Sequence, residues 1–152
     1  MFHIALFEPE IAGNVGNVAR SCLAAGAALH LIRPLGFRLN DEAVRRAGMD
    51  YWDEVNITLH PSFAAFREAL TDSFAENRVF SFSTKATQPY TGVSYRADDV
   101  LLFGPESRGL PETLRAQTTQ VRIPMQRGAR SLNLSVSVGV ALFEAWRQRG
   151  FK

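Results

Sequence analysis

Four short apolar runs, Phe2–Phe7, Leu29–Ile32, Val79–Phe82 and Val100–Phe103, alternate with stretches whose apolar residues recur at helical spacing. Parallel strands need crossover connections, usually helices, and strands covered on both faces read as continuous apolar runs. The alternation therefore predicts an α/β fold, a mostly parallel sheet with helices on both faces. Val100–Phe103 is apolar throughout and belongs near the middle of that sheet. The 152 residues show no internal repeat, linker or low-complexity stretch, so a single domain over 1–152 is expected.

The remaining elements follow from caps and breakers. Asn14 can cap a helix to about Ala25, stopped by Gly26, with Val15, Val18, Ala19, Cys22 and Leu23 as its apolar face. A short basic helix is expected over Asp41–Ala47, a strand over Val55–Leu59 and a helix over Phe63–Phe74 capped by Ser62. Lys85–Tyr95 reads as irregular. Pro111 suits the first turn of a helix over Glu112 to Gln117. Val121–Ile123 reads as a last short strand and Pro124–Leu132 as a polar loop.

Asn133 can cap a final helix to about Arg149. Leu134, Val138, Ala141, Leu142 and Ala145 form one stripe on it, but Val136, Val140, Phe143 and Trp146 lie on other faces. A helix apolar on several sides must be covered on several sides. Either the chain wraps around it or a second subunit packs on it.

The net charge of +2 hides an asymmetry: Arg122 to Lys152 carries six basic residues and one acid. Such a basic end is either a solvated face or a phosphate-binding one. No apolar run is long enough to span a bilayer, and no basic segment precedes the first strand as in a signal peptide. One cysteine, Cys22, rules out an internal disulfide and fits a cytoplasmic setting. His3, His30 and His60 lack paired metal-ligand spacing, so no metal site is expected. There is no Walker A sequence and no Gly-x-Ser-x-Gly elbow.

Three segments carry candidate chemistry, each on the C-terminal side of a strand, where open α/β sheets bind ligands. Gly13-Asn-Val-Gly16 leads into a helix bearing Arg20. Gly104-Pro-Glu-Ser-Arg-Gly-Leu-Pro111 is more densely punctuated than a plain turn needs, with Glu106 in a tight bend. Ile123-Pro-Met125 runs through an Arg-rich loop to Ser131, Leu132 and Asn133. A dinucleotide reading of the first segment is disfavoured: the Gly-x-Gly-x-x-Gly fingerprint is absent, and Arg33 stands where an acid is expected.

In order and spacing these segments resemble the three motifs of the SPOUT RNA methyltransferases, over essentially the whole chain. Asn14-x-Gly16-Asn17-x-x-Arg20 resembles the first, Phe103-Gly-Pro-Glu-x-x-Gly-Leu-Pro111 the second, and Ile123-Pro-Met125 with Ser131-Leu-Asn-Leu-Ser135 the third. Phe7-Glu-Pro-Glu-Ile11, Arg45-Arg-Ala-Gly-Met-Asp-Tyr51 and Glu144-Ala-Trp-Arg-Gln148 resemble the TrmL (YibK) group within it. The resemblance implies S-adenosyl-L-methionine-dependent methylation of the ribose 2′-hydroxyl of the wobble nucleotide, cytidine or modified uridine, in leucine tRNAs. It implies a C-terminal trefoil knot and a homodimer whose site draws on both subunits and takes a tRNA anticodon stem-loop. The methyl donor's pocket is then expected at Phe82, Gly104, Ile123 and Ser131, with backbone groups near Met125 and Leu132 holding adenine. Arg20 is the expected catalytic residue, and Arg45, Arg127 and Arg130 the expected tRNA-binding ones. Two positions depart from the group: Phe143 replaces an expected tyrosine, and Ser83-Thr84 an expected pair of threonines. The same fold on another tRNA site or on rRNA, and a non-catalytic RNA-binding protein, are the alternatives.

Overall fold

The structure is a computed structural model that describes residues 1–40 and 42–152, with only the backbone at 45 and 48–51. Six strands, β1 (His3–Phe7), β2 (Ala28–Ile32), β3 (Ile57–His60), β4 (Val79–Phe82), β5 (Val100–Phe103) and β6 (Thr119–Val121), form one sheet. Its order is β3-β2-β1-β5-β4-β6 and every pair is parallel. The expected parallel α/β sheet is thus borne out, with the fully apolar β5 between β1 and β4.

The helices are α1 (Ala12–Ala25), α2 (Glu42–Gly48), α3 (Phe63–Ala69), α4 (Thr71–Ala75), α5 (Glu112–Arg115) and α6 (Leu134–Gln148). Side chains alternate across a strand, and the core divides accordingly. Ile4, Leu6, Leu29, Leu31, Leu101 and Phe103 pack with α1 and α6. Ala5, Phe7, Ile32, Val100 and Leu102 face the other way, onto Phe66 of α3 and Phe74 of α4. Each large apolar side chain so buried contributes about 1.5–3 kcal/mol.

Several boundaries differ from expectation for local reasons. Helix α1 begins two residues before Asn14, with Ile11 at the cap position, so Asn14 is not its cap. The single helix expected over 63–74 breaks at Leu70, and the Thr71 hydroxyl bonds back to the Glu68 carbonyl at 2.7 Å. Strand β3 starts later than Val55, and β6 ends at Val121 rather than Ile123. The caps expected at Gly26, Ser62 and Asn133 are present.

Two polar constructions brace the sheet. At the N-terminal ends of β4 and β5, the fully buried Asp99 carboxylate accepts from Arg78 Nε at 2.7 Å and from the Arg96 N–H at 2.8 Å. Across β1, β2 and β3, His3 Nδ1 lies 2.9 Å from His30 Nε2, and His30 Nδ1 lies 2.9 Å from His60 Nε2. The Phe66 ring packs edge-on against His30 and His60.

Candidate active site

The chain winds from β1 outward through β2 to β3, then crosses to β4 on the other side and comes back beside β1 at β5. The switch point lies at the C-terminal ends of β1 and β5, where a crevice opens. Phe82 ends β4 and Phe103 ends β5, and their rings stack with centroids 4.6 Å apart. Above them lies a cavity of about 480 Å³, within the usual size of small-ligand sites.

All six residues expected around the methyl donor, Phe82, Gly104, Ile123, Met125, Ser131 and Leu132, line this one cavity. Phe82, Ile123, Met125 and Leu132 make it apolar on several sides. Ser83, Thr84, Ser131 and Asn133 supply hydroxyl and amide groups, and Lys85 and Arg130 also line it. A mixed lining of this kind suits a ligand with an aromatic base at one end and charged groups at the other. Gly104 is required by close backbone approach: a Cβ there would lie 2.3 Å from the Leu110 nitrogen.

Carboxylates exchanged between the β1–α1 loop and the β5–α5 loop hold the rim. Glu106 accepts from the Glu10 N–H at 2.7 Å, the Ile11 N–H at 3.3 Å and the Asn14 side-chain amide at 3.4 Å. In return, Glu10 accepts from the Ser107 hydroxyl at 2.7 Å and the Ser107 N–H at 2.9 Å. Those bonds, the hydroxyl's first, hold the Glu10 carboxyl below the usual range. Arg108 pairs with Glu8 beside them. Asn14 also accepts from Asn133 Nδ2 at 3.1 Å, while Asn133 Oδ1 caps α6 by accepting from the Ser135 and Val136 N–H groups. One asparagine thus joins all three motifs.

Arg20 is exposed and does not line this cavity. It lines a separate apolar groove between α1 and α6 with Asn17, Leu23, Ala24, Ser135, Val136 and Phe143. Among the described residues it makes no hydrogen bond or ion pair. Arg127 and Arg130 are exposed on the loop before α6. The Arg45 side chain lies outside the described residues. Of the two ways to cover α6, wrapping by its own chain fails: Val136, Val140 and Phe143 are 51%, 37% and 41% exposed.

Sequence reasoning missed the roles of Asn14, Glu10 and Glu106. Asn14 carried the signal of a cap, and nothing in a linear sequence shows that its partners lie about a hundred residues away. Among the described residues no cluster of His, Cys, Asp or Glu could hold a metal ion, and no helix is long and apolar enough to cross a membrane.

Residues 1–143 match the family model described as the SpoU rRNA Methylase family. The chain belongs to that family. A Yersinia pestis relative named tRNA (cytidine(34)-2′-O)-methyltransferase is 49% identical, over 99% of this chain and 96% of the relative. A solved structure concerned with the 2-OH methylation of C/U34 on tRNA is 51% identical, with a TM-score of 0.95, covering 100% of this chain and 98% of that one. An AdoMet-bound rRNA methyltransferase from Sinorhizobium meliloti is 28% identical with a TM-score of 0.80, covering 96% of this chain and 56% of that one. SpoU membership bears out the methyltransferase resemblance carried by the three motifs.

Proposed function

We propose that this SpoU-family methyltransferase methylates the ribose 2′-hydroxyl of the wobble nucleotide, cytidine or modified uridine, in leucine tRNAs, using S-adenosyl-L-methionine in the cytoplasm. The observation that carries the reading is the convergence of three distant segments on one cavity at the sheet's switch point. The names of full-length relatives support position 34, and the AdoMet-bound neighbour supports the methyl donor. Leucine tRNA as the substrate rests on the TrmL-like segments alone.

The cavity residues fit the donor. Phe82, Ile123, Met125 and Leu132 offer apolar surface for adenine, and Ser131, Thr84 and Asn133 offer partners for its polar groups. When bound, S-adenosylmethionine supplies a methyl group activated on a sulfonium and leaves as S-adenosylhomocysteine. The chain's own part is to place the ribose oxygen in line, which can supply up to about 7–11 kcal/mol in ideal cases. An arginine keeps its charge throughout the working pH range and is a poor proton acceptor. Arg20 therefore acts as an electrostatic clamp: it stabilises negative charge developing on the 2′-oxygen and orients the neighbouring phosphate. The hydroxyl proton leaves to that phosphate or to water. Arg127 and Arg130, with Arg45 on α2, bind further phosphates of the anticodon stem-loop.

Arg20 and the cavity open on different sides of α6 within one chain. A homodimer packed through the α1–α6 groove reconciles them, one subunit's Arg20 meeting the other's cavity. The exposed Val136, Val140 and Phe143 support that face. The trefoil knot belongs to the same proposal. Segment 122–133 returns from the edge strand β6 to α1. The 88–90 segment straps it, through Arg122 N–H to the Gln88 carbonyl at 2.9 Å and Tyr90 N–H to the Arg122 carbonyl at 2.8 Å.

The test is methyl transfer from labelled S-adenosylmethionine to purified leucine tRNA transcripts, by the protein and its Arg20→Lys variant. Transfer to nucleotide 34, lost in the variant while tRNA still binds, is the expected result. Undiminished transfer by Arg20→Lys would contradict a guanidinium-specific role, and transfer only to rRNA would move the substrate.

A further inference from the structure

Helix α1 begins without a cap of its own. The cap position is Ile11, whose side chain accepts nothing, and no acidic residue lies in the first turn. The first N–H groups of a helix lack intrahelical partners, and the aligned peptide dipoles leave partial positive charge there. Glu106, in the wall of the cavity two residues after Gly104, brings a carboxylate to this end of the helix: it accepts from the Ile11 N–H at the cap position, from the Glu10 N–H just before it and from the Asn14 side-chain amide in the first turn. The return bonds from Ser107 to Glu10 make the contact reciprocal, so neither loop can shift without the other. Arg20 rides on the helix whose start is held in this way.

Resting on the methyltransferase reading above, we infer that Glu106 is a positioning residue that caps α1 in trans from the cofactor wall and so sets where the helix holds Arg20. Its carboxylate is committed to three amide donors, which leaves it poorly placed to take a proton from a ribose. In the dimer proposed above, the linkage ties the cavity of one site to the Arg20 that serves the other. A donor molecule that orders the Gly104–Leu110 loop orders the start of α1 through the same carboxylate. Small misplacement of a catalytic group is costly, about a hundredfold in rate for roughly 1 Å.

The experiment compares the full-length protein with Glu106→Gln and with the double variant Ile11→Asp/Glu106→Gln, on tRNA. Ile11 is exposed and already has the extended backbone that a cap residue needs, φ −114° and ψ 115°. Aspartate there gives α1 a cap in cis. Four quantities are read: kcat, S-adenosylmethionine binding, the unfolding midpoint, and amide exchange at residues 10 and 11, which report Glu106, and at 13 and 14, which report a cap at position 11. Glu106→Gln is expected to lower kcat by roughly ten- to a hundredfold, with donor binding retained, the protein folded and the amides of residues 10 and 11 exchanging faster. The double variant is expected to recover most of the lost rate. Three results would overturn the inference. Failure of the cis cap to restore rate, with the amides of residues 13 and 14 protected by the new aspartate, would put Glu106 in direct contact with the reaction. Loss of rate only in proportion to unfolded protein would make its role purely structural. Absence of methyl transfer by the unsubstituted protein would instead remove the functional reading, and the inference with it.

Discussion

Asn133 donates from its side-chain amide to the side-chain oxygen of Asn14, 3.1 Å away across 119 residues of sequence. The same Asn133 caps α6 with its other atom, and the same Asn14 donates to Glu106. Asn133→Ala therefore removes a helix cap and leaves half of a buried asparagine unpartnered. The expected cost is about 1–3 kcal/mol in urea unfolding, with weakened binding of S-adenosylmethionine by titration calorimetry. An unchanged unfolding midpoint would show that the bridge carries no stability.

The histidine chain makes a prediction about acid. Burial, then the charges of His3 and His60, lower the His30 pKa to about 4 from an ordinary 6.5. Burial likewise lowers His3, against the opposing pull of Asp98, and lowers His60. The folded state thus binds protons less readily than the unfolded chain. Stability from these groups is complete above pH 6.5 and is lost as pH falls from there toward 4. The loss from His30 alone should be on the order of 2–3 kcal/mol by pH 4, seen in urea titrations at a series of pH values. Equal stability at pH 7.5 and 4.5 would contradict a neutral buried chain.

Gly104 should tolerate no side chain. The Cβ of Gly104→Ala would sit 2.3 Å from the Leu110 nitrogen and 2.4 Å from the Gly109 carbonyl carbon, and backbone atoms cannot yield as a flexible side chain would. The variant is expected to lose about 1–3 kcal/mol of stability and to bind S-adenosylmethionine measurably more weakly by equilibrium dialysis.

The shared site can be tested by complementation. Arg20→Ala leaves the cavity intact, and Leu132→Arg blocks it from a residue that is 40% exposed. Each variant alone should be inactive. Mixed and allowed to exchange subunits, they should recover about a quarter of the unsubstituted rate, because random pairing yields one good site in half of the dimers. No recovery, with subunit exchange verified by mass, would place Arg20 and the cavity in one subunit.

What the sequence showed and what it hid divide along physical lines. Continuous apolar runs such as Val100–Phe103 announce buried parallel strands, and short-range chemistry announces caps at Gly26, Ser62 and Asn133. It was the resemblance to the SPOUT methyltransferases that pointed to Phe82, Gly104, Ile123, Met125, Ser131 and Leu132 together, and all six line one cavity. The true start of α1 was invisible because its cap, Glu106, lies in another loop, and the break at Leu70 because a single backbone kink leaves the apolar period nearly intact. The His3–His30–His60 line was invisible for the same reason: three strands bring together residues that spacing alone reads as unrelated.

Wobble methylation by the cavity and Arg20 has a direct test in cells. The most direct measurement is nucleoside mass spectrometry of tRNA from cells with and without this gene, mapped by oligonucleotide to position. Loss of the 2′-O-methylated nucleoside at position 34 of leucine tRNAs is the predicted result. Full methylation there without the gene, and loss at another tRNA position or in rRNA, would contradict a wobble methyltransferase.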